Sequence, residues 1–443
     1  MNIKKYLKII FLFLLFFTQQ AFSIADWTIL IYVQAKNNLN RFAAQNLQSM
    51  SQIGSSANLN ILVQWYQPGQ EGIWRYKILK NKIELDTYIQ TDSDGSNTKD
   101  LVDSMRWATT NYPAKNNFLI LWNHGVGILD PVWSKKTTSR TSFREENFAV
   151  DLSENSKDNL YVKLDGILTD DFSFTQDFDP SSLRHRGILF NEQSRTYLNN
   201  QELVEALRQI KTDILKNKKL DIFGMDACLM AMVEVGYQVK DFAQYMVGSQ
   251  EVELAYGWDY LTLFKSMQTG NTTPLELAKG IVLTYEQFYK NRINFYTQSA
   301  IKLETMDSIK DTLNDIAIKT EECKKHDIKA MKNIIMQARN KSLQFSTRSY
   351  IDLYSFYSEL LKILNNYQTP NNALTTPIKN LKSSIQAGMN AINTAVVAKT
   401  AGPNLSVAKG LSVYFPKGRI DNSYFETSFA KETLWLNLIK DIY

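Results

Sequence analysis

Two short stretches of this 443-residue sequence carry groups able to attack and protonate a carbonyl. His124 stands in NHG after the apolar run FLILW (Phe118 to Trp122), and Cys228 stands in DAC after LDIFG (Leu220 to Gly224). A thiol and an imidazole presented together suit nucleophilic acyl transfer, with the sulfur forming a covalent intermediate and the ring moving protons. A free thiol is mostly protonated at neutral pH (pKa about 8.5), and a helix N-terminus or a nearby imidazolium lowers that value. Met230 to Val239 is expected to be such a helix, its N–H groups pointing toward Cys228 and toward an oxyanion at the attacked carbonyl. Gly125, lacking a side chain, lets its own N–H approach the same oxygen.

Asp226 lies two residues before Cys228, so on extended backbone its carboxylate projects to the side of the thiol. There it would bind a basic side chain bidentately; its other use is to cap the following helix or fix a loop. Cys323, in the charged stretch EECKKHD, is the second of only two cysteines, and a single bridge to Cys228 is the alternative use of both. His185, within RHR, and His326 follow no buried-looking strand. Three scattered histidines and two cysteines show no zinc-ligand spacing. The sequence also lacks a GxSxG elbow, an HExxH helix, a P-loop and a strand-following GxGxxG.

For the imidazole and thiol to meet, the runs before them must be neighbouring strands. Trp27 to Gln34, Leu59 to Trp65, Phe118 to Trp122, Leu220 to Gly224 and Tyr245 to Gly248 are short and rich in β-formers. Several are too continuous for burial on one face, which suits the interior of a parallel sheet. Between them Leu39, Phe42, Leu47 and Met50, then Leu101, Met105 and Ala108, then Leu203, Leu207, Ile210 and Ile214 fall at helical spacing. The βαβαβ order predicts an α/β/α sandwich with a mostly parallel central sheet. Residues past the carboxyl ends of such strands converge on one crevice. The polar stretch at about 130–186 breaks the rhythm and reads as a long surface excursion. Residues 24–305 are expected to form the catalytic domain and 306–443 a mostly helical region with a returning strand at 410–416.

A composition of 44% hydrophobic and 21% charged residues excludes collagen-like and disordered chains. Lys4, Lys5 and Lys8 precede a short apolar run, Ile9 to Phe17, and small residues, so residues 1–23 read as a signal peptide. The run falls short of the roughly 20 residues a membrane span needs. A secreted or periplasmic product without a membrane anchor is expected. Removing those three lysines leaves 47 basic against 45 acidic residues, too small an excess to argue for nucleic acid.

The residues around these positions resemble the clostripain family of cysteine peptidases, relatives of caspases, gingipains and legumain. The resemblance runs in order through WTILIYVQAKNNL (Trp27 to Leu39), LILWNHGVG (Leu119 to Gly127), RGILFNEQSRTYLNNQEL (Arg186 to Leu203) and DIFGMDACLMAMVEVGYQ (Asp221 to Gln238). It continues through YMVGSQE (Tyr245 to Glu251), AYGWDY (Ala255 to Tyr260) and GLSVYFP near the end. The resemblance implies a caspase-like fold, Cys228 as nucleophile, His124 as acid for the leaving amine, and Gly125 with the Cys228 N–H as oxyanion hole. It implies cleavage after Arg or Lys, with Asp226 receiving the basic side chain and Tyr256 on the pocket wall. Val126, Gln250 and the Leu254, Ala255, Tyr256 stretch depart from the family pattern, and the last bears on that pocket. The resemblance also implies an inactive precursor cut between the catalytic strands, where Lys135, Lys136, Arg140 and Arg144 offer sites. No cofactor is expected. Calcium enters only through some relatives' requirements and the acidic clusters Thr91 to Asn97 and Asp170, Asp171, neither a full EF-hand. Protein or peptide substrates and a monomer follow; the rivals are a catalytically silent binding protein and a transpeptidase or amidase using the same pair.

Overall fold

The computed structural model describes residues 24–130, 188–268, 270–368 and 371–442. The leader 1–23, nearly all of the excursion, His185, Asp170, Asp171 and the four basic residues Lys135, Lys136, Arg140 and Arg144 lie outside them.

The apolar runs become strands: β1 (Ala25–Gln34), β2 (Leu59–Tyr66), β5 (Ala114–Trp122), β8 (Leu220–Asp226) and β9 (Ala243–Gly248). Between and beside them lie β3 (Ile73–Leu79), β4 (Lys82–Ile89), β6 (Ile188–Asn191), β7 (Thr196–Leu198), β10 (Thr297–Lys302), β11 (Tyr350–Asp352), β12 (Val396–Ala401) and β13 (Ser412–Tyr414). The central sheet runs β12-β10-β9-β8-β5-β1-β2-β3-β4. Its middle, from β9 to β2, is parallel throughout, and antiparallel strands extend it on both sides.

Side chains alternate across this sheet into two cores. Leu30, Tyr32, Leu119, Leu121, Phe223 and Met225 face the helices Thr98–Asn111, Asn200–Gln209 and Met306–Lys324. Ile29, Ile31, Val33, Phe118 and Ile120 face the helices Asn40–Ser51 and Pro274–Tyr289. Burial on both faces explains why these runs are continuously apolar, each large aliphatic side chain contributing about 1.5–3 kcal/mol. The result is an α/β/α sandwich.

Three features differ from expectation. The β3–β4 hairpin was hidden by its half-exposed pattern, and β10 by the polar but buried Thr297, Gln298 and Ser299. The C-terminal strand β13 pairs with β11, apart from the central sheet, whereas β12 joins that sheet antiparallel to β10. Residues 24–305 and 306–442 therefore share one sheet and one of its cores. Finally, the helix after Cys228 begins at Val233, because Met232 is extended (φ −109°, ψ 150°).

Candidate active site

β5 and β8 are neighbouring parallel strands, paired with Trp122 opposite Asp226. His124 and Cys228 each lie two residues past that pair, so the register carries both to the same edge of the sheet. The exits touch: the Asn123 N–H donates to the Asp226 carbonyl (3.3 Å). A Cβ on Gly125 would lie 2.4 Å from the Cys228 carbonyl oxygen and 3.1 Å from its nitrogen. Only glycine permits this approach, which brings the backbone of Gly125 against that of Cys228.

The thiol is half-buried and meets the peptide backbone of Glu253, whose N–H donates to Sγ at 3.3 Å and whose carbonyl lies 3.6 Å away. The helix expected to face the sulfur starts five residues downstream, at Val233, so this N–H is the donor the sulfur meets in its place. The chain turns sharply after the sulfur: Leu229 takes φ +64°, a strained value for a branched side chain. Hydrogen bonds from the Leu229 N–H to the Glu251 carbonyl (3.1 Å) and from the Ala231 N–H to the Ser249 carbonyl (2.8 Å) hold it there.

His124 is also half-buried, and its Nε2 lies 2.8 Å from Oδ1 of Asn38. This contact orients the ring through Nε2. Asn38 was not foreseen; its position in QAKNNL, just past β1 in the same row of strand exits, was the available signal. The preceding Asn123 fixes the loop by accepting from the Phe190 N–H (3.0 Å) and donating to the Phe190 carbonyl (3.1 Å). β6 is thereby tied to the site.

Asp226, two residues before Cys228, is 4% exposed, with Oδ2 accepting from the Trp258 N–H (3.2 Å) and the Tyr260 hydroxyl (2.8 Å). It braces the Gly257–Tyr260 loop, and a Cβ on Gly257 would fall 2.5 Å from it. Its other neighbour is the buried Glu253, whose side chain hydrogen-bonds with it. Burial raises both carboxyls, and burial followed by the Asp226 charge pushes Glu253 well above the usual carboxylate range. Tyr256 packs edge-on against Phe42 (centroids 5.2 Å apart), and its carbonyl accepts from Asn46 (3.0 Å). Asn46 in turn accepts from the Trp122 indole (2.9 Å), placing Tyr256 at the end of β5. Gln250, one of the family departures, donates to Asp352 (3.0 Å) and accepts from the Gly410 N–H (2.8 Å). A glutamate could not make the first of these bonds when ionised.

Both cysteines are free thiols. Cys323 is fully buried, and its pKa is pushed up to about 11, by burial first and the Glu322 charge second. Among the described residues no cluster of three or more His, Cys, Asp or Glu could hold a metal. In the Thr91 to Asn97 stretch, Asp94 accepts from the Ser194 (3.1 Å) and Thr196 (2.6 Å) hydroxyls. No described helix is long and apolar enough to cross a membrane.

Comparison with known proteins places this arrangement. A sequence profile of the clostripain family matches residues 31–162 and 174–441. Among solved structures, an inactive zymogen C11 protease from Parabacteroides distasonis is similar at 17% identity and a TM-score of 0.59, covering 93% of this chain and 99% of that one. A secreted C11 cysteine protease from Bacteroides thetaiotaomicron, solved with an irreversible peptide inhibitor, is similar at 16% identity and a TM-score of 0.58, covering 94% and 99%. At these identities the likeness is one of fold. No curated protein matches.

Proposed function

Since this chain belongs to the clostripain family of cysteine peptidases, we propose that Cys228 and His124 are its catalytic pair, hydrolysing peptide bonds after Arg or Lys. The observation that carries the assignment is the register of β5 and β8, which brings the two residues out at equal distance past one paired position. A substrate carbonyl would lie above Gly125, between the sulfur and the ring. Nδ1 takes the thiol proton as sulfur attacks the carbonyl carbon, and the displaced electron pair moves onto oxygen, where the Gly125 and Cys228 N–H groups hold it. The tetrahedral species collapses as Nδ1 passes its proton to the leaving amine. Water then attacks the thioester, its proton going to Nδ1, and the expelled sulfur takes that proton from Nδ1 as it returns to the Glu253 N–H.

Asp226 is the candidate receiver of a basic P1 side chain, with Tyr256 on the wall. An arriving cation would be held by charge-assisted hydrogen bonds to the carboxylate. Residues 24–305 carry the chemistry, the excursion is the site of self-cleavage at Lys135, Lys136, Arg140 or Arg144, and the product is exported and acts as a monomer on proteins or peptides.

The test is P1 profiling of wild type beside Asp226→Ala, with and without iodoacetamide. Iodoacetamide should abolish cleavage. The preference for Arg and Lys over neutral residues should fall about 100-fold in the variant, the scale of losing a buried charge-assisted pair. Cleavage that survives alkylation contradicts the thiol mechanism; a basic preference that survives the substitution contradicts only the pocket.

A further inference from the structure

The loop from His124 to Asp130 carries the imidazole and one oxyanion donor, and its backbone polar groups are met by side chains from distant elements. The Ile128 N–H lies on Met232 Sδ (3.3 Å), the Ile128 carbonyl accepts from Asn200 (2.6 Å), and the Asp130 N–H donates to Ser423 (3.1 Å). Tyr350 alone supplies two bonds. Its hydroxyl donates to the Val126 carbonyl at 2.6 Å and accepts from the Leu129 N–H at 3.4 Å, bridging the turn. Gly127, at φ +73°, sits between the Tyr350 ring and the Met232 thioether; a Cβ there would lie 2.7 Å from the first and 2.6 Å from the second.

Tyr350 is fully buried on β11, and β11 pairs with β13. β13 reaches the other catalytic segment: the Ser412 N–H donates to the Ala231 carbonyl (2.9 Å), three residues past the nucleophile. The Tyr414 N–H and the Tyr424 hydroxyl both donate to Glu234, on the helix that follows (2.8 and 3.1 Å). One two-stranded ribbon from the C-terminal region therefore grips the imidazole loop through Tyr350 and the sulfur segment through Ser412.

We propose that Tyr350 is a positioning residue for catalysis: its hydroxyl fixes the Val126–Leu129 turn and so sets where His124 and the Gly125 N–H stand relative to Cys228. The inference rests on the Cys228–His124 reading above. The hydroxyl can be removed while the ring stays, and the protein carries its own control. Tyr357 is equally buried, on the helix Leu353–Asn366, with a hydroxyl that has no hydrogen-bond partner among the described residues.

Tyr350→Phe and Tyr357→Phe should be compared with wild type in steady-state peptide cleavage, in the pH profile of kcat, in alkylation of Cys228 by iodoacetamide, and in thermal unfolding. Tyr350→Phe is expected to lower kcat about 10- to 100-fold with KM changed less than about threefold, because misplacement of a catalytic group by about 1 Å costs this much. The limb of the pH profile that reports His124 should shift, while alkylation of the thiol stays within about twofold. Tyr357→Phe should match wild type in every readout. A Tyr350→Phe enzyme within twofold of wild type in kcat would overturn the proposal. So would a loss that merely tracks the unfolded fraction and vanishes well below the melting temperature. A wild type without thiol-dependent cleavage removes the underlying reading, and the positioning role with it.

Discussion

Cys228→Ala will lower kcat/KM for peptide cleavage by about 10⁴-fold or more, with the melting temperature nearly unchanged. The size follows from losing the atom that forms the covalent intermediate, after which only binding and the oxyanion donors remain. The unchanged stability follows from the surroundings. The thiol is half-buried and meets the N–H and carbonyl of Glu253, so truncation opens no deep cavity and removes only weak sulfur hydrogen bonds. The same variant should be recovered with the excursion uncut, because self-cleavage needs the same sulfur. Clipping at the wild-type bond would assign processing to another peptidase. His124→Ala should match the loss in turnover, since the two groups act as one unit and their effects do not add.

Gly125→Ala will cost about 10²- to 10³-fold in kcat, the scale of losing one oxyanion donor. Gly125 lies outside the left-handed backbone region, so alanine can adopt its conformation; what it lacks is space. The new methyl would fall 2.4 Å from the Cys228 carbonyl oxygen and 3.1 Å from its N–H, and both are backbone atoms that cannot swing aside. The two strand exits must separate, carrying the two N–H groups apart. Gly280→Ala is the control, because nothing lies within 4 Å of a Cβ there. It should leave kcat alone and raise stability slightly, alanine being the better helix former. An active Gly125→Ala enzyme would place the oxyanion elsewhere.

Much of this architecture is legible in the sequence, for a physical reason. β1, β2 and β8 are buried on both faces, so most of their residues must be apolar, and a run with few polar interruptions is conspicuous. A His-Gly and a Cys just beyond two such runs then share a crevice by topology alone. β10 was invisible because Gln298 and Ser299 are polar yet buried, satisfied by Glu253 and by the Gly410 carbonyl, partners that local sequence cannot reveal. Met230 to Met232 misled because apolar residues before a helix look helical, whereas here they form a tight turn, Met232 N–H to Met230 carbonyl, with Ala231 bonded to Ser249 and Ser412. Tyr350 could not be read at all. It stands 224 positions from the carbonyl it binds and has no pattern of its own.

The C-terminal region accordingly belongs to the catalytic machinery as its brace. The β11–β13 ribbon and Gln250, which bonds Asp352 and Gly410, join the exits of the central strands to residues beyond 340.

The most direct measurement is a crystal structure of the protein covalently bound to a peptidyl ketone ending in lysine. The account predicts a bond from Cys228 to the ketone carbon, its oxygen within about 3 Å of the Gly125 and Cys228 nitrogens, and His124 Nδ1 facing the leaving-group side. A hemithioketal whose oxygen meets neither nitrogen, or an imidazole turned to another face of the molecule, would contradict it.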